Sequence, residues 1–396
     1  MTGSTMAKNT QTLLSTSDRD QKVFGEFLSA IAAMGLSIFF LLVISDVPIR
    51  IAGVSVLILL LQLIAGGSCF TLFFRNIKIT WQEFCGIGLA IGSLLTIGLD
   101  QIFRNTAISC FAWATPILFL PFLIRQRKFN FESFVSQNVG ITLDLLPILA
   151  TILLLLSAEW FWPLPVAMLL ITIVIWRGYP GHRRLSGFFG IFLLPLSVFS
   201  VLSRPTGWWI EDTDVGLYEA ISRTLGTWGF RDNINAAGTS TNYHWFAYAW
   251  SGLIDRISGA PSWVSNTRVL PIIIATGTIL VIWSILQRLS HVRSIIIFSL
   301  FAIAGFDTVQ TWGRGFKLGL IASPSQMYGL FLLLTFVYLL ILDQKHLLNK
   351  AVPLFFFLGL GVVGAKVAHG VVLAGGIGIS WFATCVKSYI WISHNT

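Results

Sequence analysis

The chain has 396 residues, of which 55% are hydrophobic and only 11% charged, and its mean hydropathy is +0.79. A composition this apolar, with runs near membrane-spanning length recurring from end to end, excludes an ordinary water-soluble domain and predicts an all-α, polytopic bundle of transmembrane helices. The formal net charge of +9 does not point to a nucleic-acid partner, because the basic residues fall in short groups between apolar runs, as topology signals do.

In chain order, residues 1–24 are a polar tail whose Lys8, Arg19 and Lys22 precede a long apolar run with no small-residue cleavage pattern after it, so no removable signal peptide is expected. That run, FLSAIAAMGLSIFFLLVI, is apolar on every face, whereas a β-barrel strand alternates. Apolar runs predict about twelve spans, near 25–45, 49–74, 83–101, 106–124, 139–158, 161–176, 186–202, 264–286, 294–306, 325–342, 351–368 and 371–391, the ninth of them short. Cys69, Cys85, Cys110 and Cys385 lie far apart inside these runs, without metal-ligand spacing, and read as packing residues.

The basic groups Lys8/Arg19/Lys22, Arg75/Lys78, Arg125/Arg127/Lys128, Arg177/Arg183/Arg184, Arg288/Arg293 and Lys345/Lys350 alternate with less basic loops. The positive-inside rule places them, and both termini, in the cytoplasm. The chain then divides into a cytoplasmic tail (1–24), a seven-span region (25–202), one long outer loop (203–263) and a five-span region (264–396). This topology requires that YHWFAYAWSGLIDRISG, residues 243–259, does not cross the bilayer. It is expected as an amphipathic helix lying in the outer interface or dipping back into it. Its Trp245, Tyr248 and Trp250, with Trp208, Trp209, Trp228 and Trp263 nearby, suit the headgroup level.

With that orientation three stretches put charge on the outer face. The long loop carries Glu211, Asp212, Asp214, Asp232 and His244; FDTVQTWGRGFKLG (306–319) carries Asp307, Arg314 and Lys317; and GAKVAHG (364–370) carries Lys366 and His369. Acids at the membrane surface facing cations from other loops suit glycosyl transfer from a polyprenyl-phosphate sugar. A carboxylate takes the acceptor's proton or holds a divalent metal, and Arg or Lys stabilises the departing phosphate.

Each stretch also has a plainer reading. The acids fit the first turn of a helix beginning near Val215, where they complement the dipole, and Asp232 in FRDNINAAG fits a turn. GRGFKLG lacks the ending of a nucleotide loop, and its cations also suit headgroups. Lys366 either snorkels to the surface or pairs with Asp212 or Asp214, and Asp144 and Asp100 are expected at membrane interfaces. No internal repeat and no series of ionisable residues at mid-membrane depth point to a transporter.

EDTDVGLYEAISRTLGTWG (211–229), followed by NYHWFAYAWSGLIDRISGAPSWVSNTRVLP (242–271), resembles the first large outer loop of integral-membrane glycosyltransferases of the GT-C superfamily, where an acidic motif stands just outside a transmembrane helix and amphipathic loop helices follow. The likeness covers roughly residues 186–286, and here the motif follows the seventh expected span rather than the first. It implies a multi-pass enzyme of the bacterial plasma membrane that moves a sugar from a polyprenyl-phosphate donor to a glycan, lipid or protein acceptor on the outer face. Asp214 would be the base or metal ligand with Asp212 as its companion, and Mg or Mn the metal. Glu211, His244, Arg314, Lys317, Lys366 and His369 would bind donor and acceptor. Two other readings remain open: an O-antigen ligase or polymerase-like enzyme of glycan assembly, and a non-catalytic membrane protein or transporter of lipid-linked glycans.

Overall fold

The computed structural model describes residues 31–107 apart from 33, 37, 44, 75–76 and 78, together with 114, 118, 215–230, 245–289, 324–342 and 348–379. Among the described residues there is no strand, and nine helical segments carry the fold: α1 (Met34–Val43), α2 (Ile49–Phe73), α3 (Trp81–Phe103), α4 (Val215–Thr227), α5 (Phe246–Ser258), α6 (Ser262–Leu289), α7 (Pro324–Leu342), α8 (Leu348–Ala365) and α9 (Val367–Ile379). α2, α3, α6 and α7 are long and apolar enough to cross a membrane. The expected spans at 139–158, 161–176, 186–202 and 294–306, most of that at 106–124, and parts of the first and last lie outside the described residues.

Local chemistry sets the helix ends. Thr80 opens α3 with a capping box: its hydroxyl accepts from the Glu83 N–H, and Glu83 Oε2 accepts from the Thr80 N–H at 2.7 Å. This box carries the helix two residues beyond the start that the apolar run predicts. Pro324 begins α7, where its missing N–H is not needed. α5 stops at Gly259, which takes a left-handed φ of 73° and donates its N–H to the Asp255 carbonyl at 2.8 Å.

α2 and α3 form an antiparallel pair in which glycine replaces side-chain interdigitation. Gly66 faces Gly88 and Gln62 faces Gly92, so a Cβ at Gly66 or Gly92 would collide with the opposite backbone. In a membrane, where apolar faces gain little by leaving lipid, such small-residue crossings let helix backbones pack closely. α6 lies antiparallel to α3, with Trp81 and Trp283 meeting edge-on at 5.6 Å and Gly86 against Leu280 and Val281. α7 is antiparallel to α3 as well: Tyr338 reaches Glu83, and the Ser93 and Tyr328 hydroxyls share a hydrogen bond at 2.8 Å. α8 returns beside α7, with Phe336 and Phe355 at 5.1 Å and Gly361 against Leu94 and Leu332.

These pairings give the bundle two ends. One gathers Glu83, the end of α6, the end of α7 and the start of α8; the other gathers Asp100, α4, α5 and the α8–α9 junction. At the first end the Glu83 carboxylate also accepts from Arg288 Nε at 2.7 Å and from the Tyr338 hydroxyl, tying α3, α6 and α7 together. Cys69 and Cys85 are free thiols within this packing.

Of the segment 243–259, residues 245–259 are described, and they hold α5 against the other helices. α5 has 13 residues, about 20 Å, which is too short to cross ~30 Å of hydrocarbon. It does not lie along the surface, however. Tyr248 and Trp250 are fully buried rather than set at headgroup level, and Trp250 packs on Tyr328 at 5.2 Å, level with Ser93, about two helical turns inward of Asp100 along α3. The physical reason is a second glycine crossing, in which Gly252 of α5 meets Gly226 and the Ser222 carbonyl of α4. That contact turns Tyr248 onto Tyr218 of α4 and leaves Trp250, on the other side of α5, to pack on Tyr328 of α7. Trp228 and Trp263 stay exposed at this end.

Candidate functional site

Of the residues singled out from sequence, Lys366 and His369 fall among the described ones, while Glu211, Asp212, Asp214, His244, Arg314 and Lys317 lie outside them. Lys366 interrupts the helix between α8 and α9. Its carbonyl accepts from the His369 N–H at 3.1 Å and the Gly370 N–H at 3.3 Å. A Cβ at Gly370 would stand 3.4 Å from the Val363 Cα, although a continuous helix would separate positions seven apart by about 10 Å. The chain therefore doubles back here, near the end of the eleventh expected span.

Two glycines seat this hairpin. Gly364 lies against the Phe246 ring at the start of α5, and Gly329, one turn into α7, leaves room for the His369 imidazole. His369 Nδ1 is buried without a hydrogen-bond partner, and burial pushes the imidazole pKa down, with the Lys366 cation adding to the shift. A neutral imidazole beside a lysine presents an acceptor and a cation to whatever approaches this end.

The strongest electrostatic feature of this end is one that the sequence placed differently. Asp100, expected at an interface, is fully buried and holds two arginines. Its Oδ2 accepts from Arg104 Nη2, its Oδ1 from Arg256 Nη2 of α5, and Gln101 Nε2 bridges Asp100 Oδ2 and the Leu225 carbonyl of α4, each at 3.2 Å. Three helices thus meet on one carboxylate. Two guanidiniums against one carboxylate leave an excess positive charge, and the Arg104 side chain is only 3% exposed. Among the described residues its Nε and Nη1 protons have no acceptor. Gly229, at a left-handed φ of 87°, packs a Cβ's width from the Arg104 stem, so a side chain there would crowd the guanidinium.

A buried arginine with unused donors is costly unless an anion completes it. The planar fork of a guanidinium matches carboxylate and phosphate oxygens. Part of this cluster was legible, since Asp100 and Arg104 stand four apart on one helix; the second arginine comes from 156 positions away. Tyr328, in the second turn of α7, turns to the neighbouring helices through Ser93 and Trp250. Among the described residues no group of three His, Cys, Asp or Glu side chains is gathered to hold a metal. No family model, no curated protein and no solved structure matches the chain.

Proposed function

We propose that the chain is a multi-pass glycosyltransferase of the bacterial plasma membrane, moving a sugar from a polyprenyl-phosphate donor to a glycan, lipid or protein acceptor on the outer face. The observation that carries this reading is the Asp100–Arg104–Arg256 cluster, a net-positive, largely buried site with unused guanidinium donors. It stands at the end of the bundle where α4, α5 and the Lys366–His369 hairpin meet. An anionic headgroup entering from the lipid supplies the acceptor that Arg104 lacks, and stabilisation of a leaving phosphate is the work such donors do in group transfer.

In this reading Asp214 takes the acceptor proton or holds a divalent cation, Asp212 supports it, and Glu211, His244, Arg314 and Lys317 complete donor and acceptor binding. Helix α4 begins at Val215, directly after Asp214 in the chain. This reading keeps about twelve spans with both termini cytoplasmic, of which four membrane-length helices lie among the described residues. α6 and α7 run in the same direction.

The test is transfer itself. In proteoliposomes supplied with a radiolabelled polyprenyl-phosphate hexose and total envelope glycolipid as acceptor, Asp214→Ala is expected to reduce label transfer at least about a hundredfold, as loss of a general base does. The variant should keep the wild-type thermal midpoint. Full transfer by Asp214→Ala would remove the assignment of the base.

A further inference from the structure

A second polar cluster, separate from the Asp100 site, lies between α4, α5 and the start of α6. Asp255 stands in the last turn of α5 with both carboxylate oxygens buried, approached by the Ser262 and Ser265 hydroxyls without a well-formed hydrogen bond. One turn earlier on the same helix face, the Ser251 hydroxyl is buried and without a partner. Across from it α6 opens with a π-turn over Ser265–Val269, a local widening of the helix that often marks functional positions. The Ser265 hydroxyl at its first residue is fully buried, and it approaches the Asp255 carboxylate together with Ser262 without forming a well-shaped hydrogen bond.

The neighbouring groups do not use up these oxygens. Asn266 turns away to α4, donating from Nδ2 to Ser222 Oγ at 2.9 Å and to the Tyr218 carbonyl at 3.4 Å. The charged groups that face Asp255 are Glu219 and Arg223 of α4, which offset one another and leave the carboxylate's single negative charge. Several hard oxygen atoms around one negative charge are the donor set of a small alkali cation, whereas a divalent ion would carry a surplus charge into the protein interior. The C-terminal turn of α5 adds the negative end of a helix dipole.

We propose that Asp255, Ser251, Ser262 and Ser265 form a binding site for a monovalent alkali cation that joins α5 to the start of α6. The site does not depend on the glycosyltransferase reading. Burial pushes the Asp255 carboxyl up to about 6, against the lowering by the two serines, so a proton competes with the cation. Because the pKa in the folded protein is above the usual carboxylate value of about 4, folding favours the protonated form. Without a bound cation, the contribution of this group to stability is full below about pH 4 and is lost as pH rises through about 6.

The test is thermal unfolding of the full-length protein in detergent, followed by tryptophan fluorescence at constant ionic strength in the chlorides of sodium, potassium, magnesium and choline. At pH 8 sodium or potassium is expected to raise the midpoint over choline by about 4 °C, saturably. In choline the midpoint should fall between about pH 4 and pH 6, and sodium should flatten that fall. Asp255→Asn should lose the cation effect, and Ser265→Ala, a smaller change, should raise the half-saturating concentration by about tenfold while still folding. Equal midpoints in all four salts would overturn the proposal. So would a cation effect that survives both substitutions, or a shift given by magnesium alone.

Discussion

Gly92→Leu is expected to separate α2 from α3 and to cost about 3 kcal/mol or more, enough to lose most of the folded protein on extraction into detergent. The backbone of α3 passes so close to Gln62 that even a methyl group at position 92 collides with its carbonyl, and backbone cannot move aside as a side chain tip can. The effect is not one of helix propensity. Gly98 lies on the same helix with nothing within 4 Å of an added Cβ, so Gly98→Leu should be neutral or mildly stabilising. Thermal midpoints of the two variants, read side by side, separate close packing from propensity. Equal midpoints would mean that the two helices do not cross at Gly92.

Asp100→Ala is the second large expected effect, a loss of about 3–5 kcal/mol. Removing the carboxylate leaves Arg104 buried and turned toward Arg256 with no charge between them, and it releases the junction of α3, α4 and α5. The sign can be checked with a second change. Asp100→Ala combined with Arg104→Met should recover a substantial part of the loss, because the uncompensated charge is removed and a similar volume remains. Asp100→Asn should fall between wild type and alanine, since the amide oxygen still accepts one hydrogen bond. If the single alanine variant matched wild type, the cluster would contribute nothing to folding.

The apolar runs placed the four membrane-length helices to within three residues at each end, because a segment that must satisfy its own backbone in lipid leaves few choices. The capping box over Thr80–Glu83 and the GLAIG pattern at 88–92 are also short-range signals, readable by eye. They define where α3 starts and which face meets α2. Glu83 is different. Its pairing with Arg288 and Tyr338 joins positions 205 and 255 residues away, and no local pattern announces such a meeting.

The same limit explains Asp100 and Asp255. Each gains its character from burial against a different element, which no local pattern shows. For α5 the amphipathic pattern was correctly helical, but the pattern cannot say whether the aromatic face meets headgroups or other helices. The glycine meeting of Gly226 and Gly252 decided it for the protein interior. Lys366 and His369 were picked because charge at a span end is unusual, and the structure places them against Gly329 and near the start of α5. The carboxylates at 211–214 remain assigned on sequence grounds.

The most direct test of the proposed donor site is retention of a long-chain polyprenyl phosphate by the detergent-purified protein, measured against the same polyprenol without its phosphate. Arg104→Gln removes the excess charge and the unused donors while Arg256 still balances Asp100, so the fold is expected to hold, as its thermal midpoint will show. Wild-type protein should retain the phosphate-bearing lipid at least about tenfold better than the bare alcohol, and Arg104→Gln should abolish that preference. Equal retention of the two lipids, or an undiminished preference in a folded Arg104→Gln protein, would contradict a lipid-phosphate site at this end of the bundle.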